Sequence, residues 1–358
     1  MSSLLFSEYN LGSIKLKNRI VMAPMTRSRA INNIPNDIMA EYYKQRSGAG
    51  LIITEGTSPS PNGLGYARIP GLFNNEQAKG WHKVTDAVHS EGSHIFVQLM
   101  HTGRVSHPLN LPDGAKVLAP SAIGLKGETW TDQKQLQHYP VPQEMTLDEI
   151  KSTIEEYVHS AKLAVEAGFD GVELHGANGY LIEQFINPTA NQRSDNYGGS
   201  PENRIRFAVE VAKKVADAIG PDRLGIRVSP YGAANDMAEY DGIEETYALL
   251  ARELSKLNLA YMHIVDHSAM GAPKVNPAVK ALIRENFTGT IILAGGYDVQ
   301  RAERDLQDKK GDLIAIGRLF ISNPNLVVKL QKNEQLVEAD KNTFYSPGEK
   351  GYTDYPLN

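Results

Sequence analysis

His175, Asn178 and Tyr180 stand at i, i+3 and i+5, directly after the short apolar run Gly171-Val-Glu-Leu-His175. His and Asn can both donate hydrogen bonds to one oxygen that gains negative charge. A tyrosine two residues on brings a phenolic proton. The alternative reading of His175 is a satisfied structural histidine. A second set of residues suits an anion. Gly295-Gly296 and Gly317-Arg318 each follow an apolar run. Glycines let backbone N–H groups approach phosphate oxygens, and Arg318 adds a charge-assisted fork. Either pair alone would do no more than turn the chain; both together favour a phosphate site.

A metal centre is disfavoured. The carboxylate closest in sequence, Glu173, is read as pointing to the opposite side of its strand from His175. His94, His101 and His107 offer an alternative histidine cluster. The chain has no cysteine, which excludes disulfides, thiolate nucleophiles, cysteine-ligated zinc and cysteine-held iron–sulfur clusters. Redox chemistry would have to come from a bound cofactor. The net charge of −5, from 37 basic and 42 acidic residues, implies no broad basic surface for nucleic acid. No apolar run approaches the ~18 residues needed to span a bilayer, and the start lacks a signal-peptide pattern, so the expectation is a cytoplasmic protein.

These residues need a scaffold that brings them together. Eight short apolar runs alternate with amphipathic helical stretches. They are Ile20–Pro24, Leu51–Glu55, Ile95–Leu99, Gly171–His175, Leu224–Val228, Tyr261–Val265, Thr290–Ala294 and Leu313–Ile316. Strands apolar on both faces argue for a parallel sheet, and eight units argue for a closed (β/α)₈ TIM barrel. The alternative is a doubly wound open sheet, but Gly48-Ala-Gly50 and Gly63-Leu-Gly65 both lack the third glycine of a dinucleotide turn. Thr146-Leu-Asp-Glu149 reads as a capping box for a helix that stops near Gly168. Ser200-Pro201 and Asn323-Pro324 each read as an N-cap followed by Pro at the first helical position. The 358 residues fit one barrel domain, 1–358, whose surplus lies in the termini and an insertion over about residues 100–145. That insertion follows strand three, so it should rise over the C-terminal face as a lid; a decorative insertion is the other reading. At that face the strand ends bring Pro24, Met25, Thr26, Gly56, Gln98, His175 and Arg227. Paired carboxylates suited to hydrolysis are missing among them.

Asn18-Arg-Ile-Val-Met-Ala-Pro-Met-Thr-Arg27, His175-Gly-Ala-Asn-Gly-Tyr-Leu181, Phe185-Ile-Asn-Pro188, the stretch from Arg193 to Arg204, and Gly351-Tyr-Thr-Asp-Tyr-Pro356 resemble the Old Yellow Enzyme family. Its members are FMN-containing, NAD(P)H-dependent ene-reductases on a TIM barrel. The resemblance spans essentially the whole chain. It implies that Gly295, Gly296, Gly317 and Arg318 hold the FMN phosphate and that Pro24, Met25 and Thr26 pass along the flavin, the Thr26 hydroxyl reaching the ring carbonyl next to N5. Gly56 and Gln98 would meet the pyrimidine edge. Arg227 would lie near N1, where the reduced flavin gathers negative charge. His175 and Asn178 would bind the oxygen of an activated alkene, Tyr180 would donate the proton, and Tyr345 would wall the pocket. NADPH or NADH would be the reductant and a small-molecule enone, nitroalkene or maleimide the partner, taken in turn by a monomer or homodimer. Met100 stands where many relatives carry Trp, and Thr26 where some carry Cys. Two other readings stay open: a sugar-phosphate aldolase or isomerase, for which no strand end offers a Lys, and a flavin-binding protein without turnover.

Overall fold

Alternation along each strand decides which side chains can meet. A computed structural model describes residues 3–268, 272 and 275–357. Its eight barrel strands are β1 (Ile20–Met22), β2 (Leu51–Thr57), β3 (His94–Leu99), β4 (Gly171–Gly176), β5 (Leu224–Val228), β6 (Tyr261–Val265), β7 (Thr290–Ala294) and β8 (Leu313–Ile316). All neighbouring pairs run parallel, and β8 pairs with β1 to close the ring. β1 is shorter than its apolar run suggests. Pro24 has no N–H for a ladder, although Ala23 N–H still donates to Ile316 O at 2.9 Å.

The outward residues, such as Ile20, Met22, Ile52, Val172, Leu174, Ile226, Ile264 and Leu293, pack in one cluster with the helices. The inward residues Val21, Leu51, Ile53, Phe96, Tyr261, Ile292 and Leu313 pack with Leu11 and Leu16 in a second. Leu11 and Leu16 belong to the N-terminal hairpin Tyr9–Leu11/Ile14–Leu16, which therefore seals the end where the strands begin. Toward the other end the inward positions turn polar: Gln98, Glu173, His175, Arg227 and His263. Glu173 thus shares a face with His175, contrary to the sequence reading, because a strand repeats every two residues. Val172 and Leu174, facing the helices, fix that phase.

Local signals set the helices. Thr146 and Glu149 form the capping box of Leu147–Glu166, and Ser200 caps Pro201–Ile219 with Pro at the start. Gly168 takes φ +86° just beyond the first of these. Asn323 does not cap a helix start. The helix begins at Leu326 after Asn325, and the Asn323 amide is spent on Val337, accepting from its N–H at 2.9 Å and donating to its C=O at 3.0 Å.

The insertion after β3 has structure of its own. Leu118–Ala119 pairs with Gln143–Glu144, and Glu128–Thr131 forms an antiparallel hairpin with Gln135–His138. The histidines do not cluster. His94 lies at the start of β3 against Asp170, while His101 and His107 accept from the nearby Gly103 and Leu109 amides.

Candidate active site

The C-terminal ends of the strands enclose a cavity of about 430 Å³. Pro24, Met25 and Thr26 enter from β1, Asn178 from beyond β4, Arg227 from β5, Gly295 and Gly296 from β7, and Gly317 and Arg318 from β8; Tyr345 closes one side. The β7 wall has to be glycine. Gly295 sits at φ +144°, and a Cβ there would lie 2.5 Å from Asp266 O; Gly296 sits at φ +63°. No hydrogen bond among the described residues engages the Gly296, Gly317 or Arg318 amides. This end is a bare, N–H-rich cradle with a guanidinium beside it, the chemistry a phosphate needs.

Arg227 marks the other end. It is 6% exposed, yet its Nε has no partner and no side chain accepts from it among the described residues. A buried guanidinium stays charged and is costly to leave unpaired. The carboxylate that would balance it, Glu173, is engaged elsewhere: Gln98 Nε2 donates to one oxygen at 2.7 Å, and His263 Nδ1 lies 2.9 Å from the other. With its Nε2 so used, Gln98 keeps its carbonyl oxygen for an N–H donor. A ring that gathers negative charge on reduction, with an imide edge and a phosphate tail, fits this donor set, and FMN has all three.

The three residues after β4 are prepared differently. His175 is buried, and its Nδ1 has no partner among the described residues. Burial, then the nearby Arg227 charge, holds its pKa well below the usual range, so it is a neutral donor at pH 7. Asn178 takes φ +59°, and its Oδ1 lies 2.7 Å from His267 Nε2. Tyr180 packs edge-on to His175 with ring centroids 4.9 Å apart. Its hydroxyl lies 3.1 Å from that of Tyr66, and burial pushes its pKa up to about 12 against the lowering effect of that bond.

Tyr180 faces a second cavity of about 810 Å³ that shares Thr26 and Tyr345 with the first. Glu128, Thr129 and Trp130 of the inserted hairpin, and Tyr139 just after it, line this space. The hairpin is tied down by an Arg68–Asp132 ion pair, and Arg68 Nη2 also donates to Tyr345 O at 3.1 Å. Buried arginines strap the segment that carries Tyr345. Arg27 donates to Gly351 O at 2.7 Å, Arg29 to Phe344 O at 2.8 Å, and Arg46 to Tyr352 O at 3.1 Å.

Gly56, Gln98, His175 and Met100 line neither cavity. The ladder sets Gly56 beside Gln98, and Gln98 beside Glu173, within the barrel wall. Met100 folds over Gly56, where a Cβ would meet its sulfur at 2.5 Å. It packs with Leu64 and Ile69 behind Tyr180, so it backs the pocket wall instead of forming its surface. Sequence reasoning missed Asp266 and His267. They follow β6 directly and line the cavity, so inspection of that strand end would have found them. Tyr66, by contrast, lies 114 residues from Tyr180 in a loop without periodic signal.

The model of the NADH:flavin oxidoreductase / NADH oxidase family matches residues 4–336. Rice 12-oxophytodienoate reductase 7 is 39% identical over 373 residues, covering 99% of this chain and 94% of the relative. A Leishmania infantum protein, named as a probable flavin mononucleotide-dependent alkene reductase, is 39% identical over 97% of this chain and 95% of its own. The structure of an old yellow enzyme homologue from Zymomonas mobilis superposes with a TM-score of 0.95 at 38% identity, covering 99% of each chain.

Proposed function

The chain belongs to the NADH:flavin oxidoreductase / NADH oxidase family, and from that premise we propose how its residues divide the work of an FMN-dependent, NAD(P)H-driven reduction of activated C=C bonds. Bound FMN supplies the hydride relay between reduced nicotinamide and the β-carbon of the alkene. Gly295, Gly296, Gly317 and Arg318 hold its phosphate. Pro24, Met25 and Thr26 flank the ring, with the Thr26 hydroxyl as a donor to it. Gly56 and Gln98 serve the imide edge, and Arg227 balances the negative charge that the reduced ring gathers. The buried Arg227, which no group accepts from among the described residues, carries this reading, since a guanidinium left so inside a barrel needs a ligand to face.

His175 and Asn178 donate to the carbonyl, nitro or imide oxygen of the alkene and draw electron density from its double bond. Because His175 is neutral, it polarises that oxygen without surrendering a proton. Tyr180 gives its proton to the α-carbon, and the Tyr66 hydroxyl 3.1 Å away can restore it from the side of the larger cavity. Hydride and proton together saturate the double bond. Nicotinamide and alkene use the same pocket in turn, which gives ping-pong kinetics. The inserted hairpin acts as a lid over Tyr180, and Tyr345 as a wall. The acidic balance supports a small-molecule partner over nucleic acid, and among the described residues no helix is long and apolar enough to cross a membrane. Among the described residues no Lys lines the cavity to serve an aldolase as Schiff-base amine. Titration of apoprotein with FMN and riboflavin tests the assignment of the two ends. FMN should bind on the order of a hundredfold more tightly through its phosphate contacts; equal affinities would remove the phosphate site.

A further inference from the structure

Asn178 is held at every polar atom but one. Its N–H donates to Ser229 Oγ at 2.8 Å, and its C=O accepts from Asn235 Nδ2 at 2.7 Å. Ser229 in turn donates to Glu183 Oε1 at 2.8 Å, while Glu183 Oε2 accepts from the Gly179 N–H. This shell fixes the left-handed backbone at φ +59°. It does not fix the side chain, whose amide could turn over by 180°. His267 lies at that point, with Nε2 2.7 Å from Asn178 Oδ1. An amide oxygen only accepts, so His267 Nε2 must carry the proton. Nδ1 is then the bare nitrogen, and it has no partner among the described residues. Burial, then Arg227, lowers the His267 pKa to about 4, so one proton on the ring, at Nε2, is the expected state at pH 7. Asn178 Nδ2 is left with no partner among the described residues, and both residues line the cavity.

We propose that His267 is a positioning residue: by donating to Oδ1 it locks the Asn178 amide so that Nδ2–H is presented to the substrate oxygen. Without that donor the amide can also present Oδ1, which repels the oxygen it should bind. This rests on the reading of His175 and Asn178 as the oxygen-binding pair, and the experiment separates the two.

The probe is 4-hydroxybenzaldehyde, a phenol whose oxygen occupies the same donors, titrated into the FMN-loaded protein and read as the long-wavelength band of the complex. His267→Phe should raise its Kd about tenfold, the loss of one hydrogen bond to an anionic acceptor. His267→Gln keeps an N–H donor and should stay within about threefold. In an Asn178→Ala background His267→Phe should add less than about twofold, because the two act through one group. If Asn178→Ala leaves Kd unchanged, the oxygen-site reading fails and the inference falls with it. If Asn178→Ala weakens binding while His267→Phe does not, the inference alone is overturned. It is overturned equally if Gln is as damaging as Phe, or if Phe is just as damaging without Asn178.

Discussion

Replacing Arg227 by Met keeps an unbranched side chain in the barrel and deletes its charge. Two unit charges about 4 Å apart interact by about 4 kcal/mol at an effective dielectric of 20. That is an upper bound here. Glu173 lies on the neighbouring strand, and its carboxylate acts on Arg227 and offsets part of its field. Halving for that compensation leaves about 2 kcal/mol of preference for the reduced, anionic flavin, which is about 40 mV for a two-electron couple. The midpoint potential of bound FMN in Arg227→Met should therefore fall by about 40 mV. Arg227→Lys keeps the charge but not the planar fork, and should recover more than half of the shift. Anaerobic equilibration against a redox dye measures both. A potential unchanged within about 10 mV in the flavin-loaded Met variant would refute the electrostatic argument. So would a Lys variant shifted as far as Met, which would mark Arg227 as a packing residue.

Tyr180→Phe should slow alkene reduction by a factor of about 10² to 10⁴ while leaving flavin reduction by nicotinamide within a few-fold, the pattern of a lost general acid; stopped-flow traces of the two half-reactions that fall equally would contradict its role. Gly295→Ala adds a Cβ 2.5 Å from Asp266 O at φ +144°, so it should weaken FMN more than riboflavin, and an unchanged ratio of their dissociation constants would refute the cradle. Acid should destabilise the protein below neutrality. Burial holds His101, His175 and His267 neutral in the fold, whereas unfolded they bind protons near pH 6.5, so their stabilisation is present above that pH and lost as pH falls. Glu55 and Glu183, raised to about 7 by burial, act with the opposite sign, gaining stability as pH falls toward their unfolded pKa. Near pH 5.5 the unfolded state then holds about one extra proton, or about 1.4 kcal/mol lost per pH unit. A urea midpoint no lower at pH 5.5 than at pH 7 would oppose this balance.

The barrel was legible because its strands are apolar on both faces and punctuated by capped helices. Each of the eight runs became a strand, and only β1 fell short, at a proline. Convergence was legible where type and spacing coincide: Asn178 and the paired glycines after β7 and β8 line one cavity, and Tyr180 faces the next. Errors arose where phase or partners decide. Glu173 was assigned to the wrong face, although its period with His175 is even; the structure then shows it holding Gln98 and His263. Asn323 looks like a cap because Pro follows, but its amide oxygen is taken by the Val337 N–H and its Nδ2 by the Val337 and Leu319 carbonyls. Met100 reads as a pocket residue by position, yet the void above Gly56 draws its thioether inward. Tyr66 meets Tyr180 only through the folding of two loops, a contact that no local pattern encodes.

A colour cycle on the purified protein under anaerobic conditions tests the proposed chemistry from end to end. The FMN-loaded protein should absorb in the flavin bands, bleach on adding NADPH or NADH, and recover its colour when 2-cyclohexenone is added, with cyclohexanone formed in equal amount. Protein that cannot be loaded with FMN would contradict that chemistry, as would loaded protein that bleaches but regains no colour with any enone, nitroalkene or maleimide.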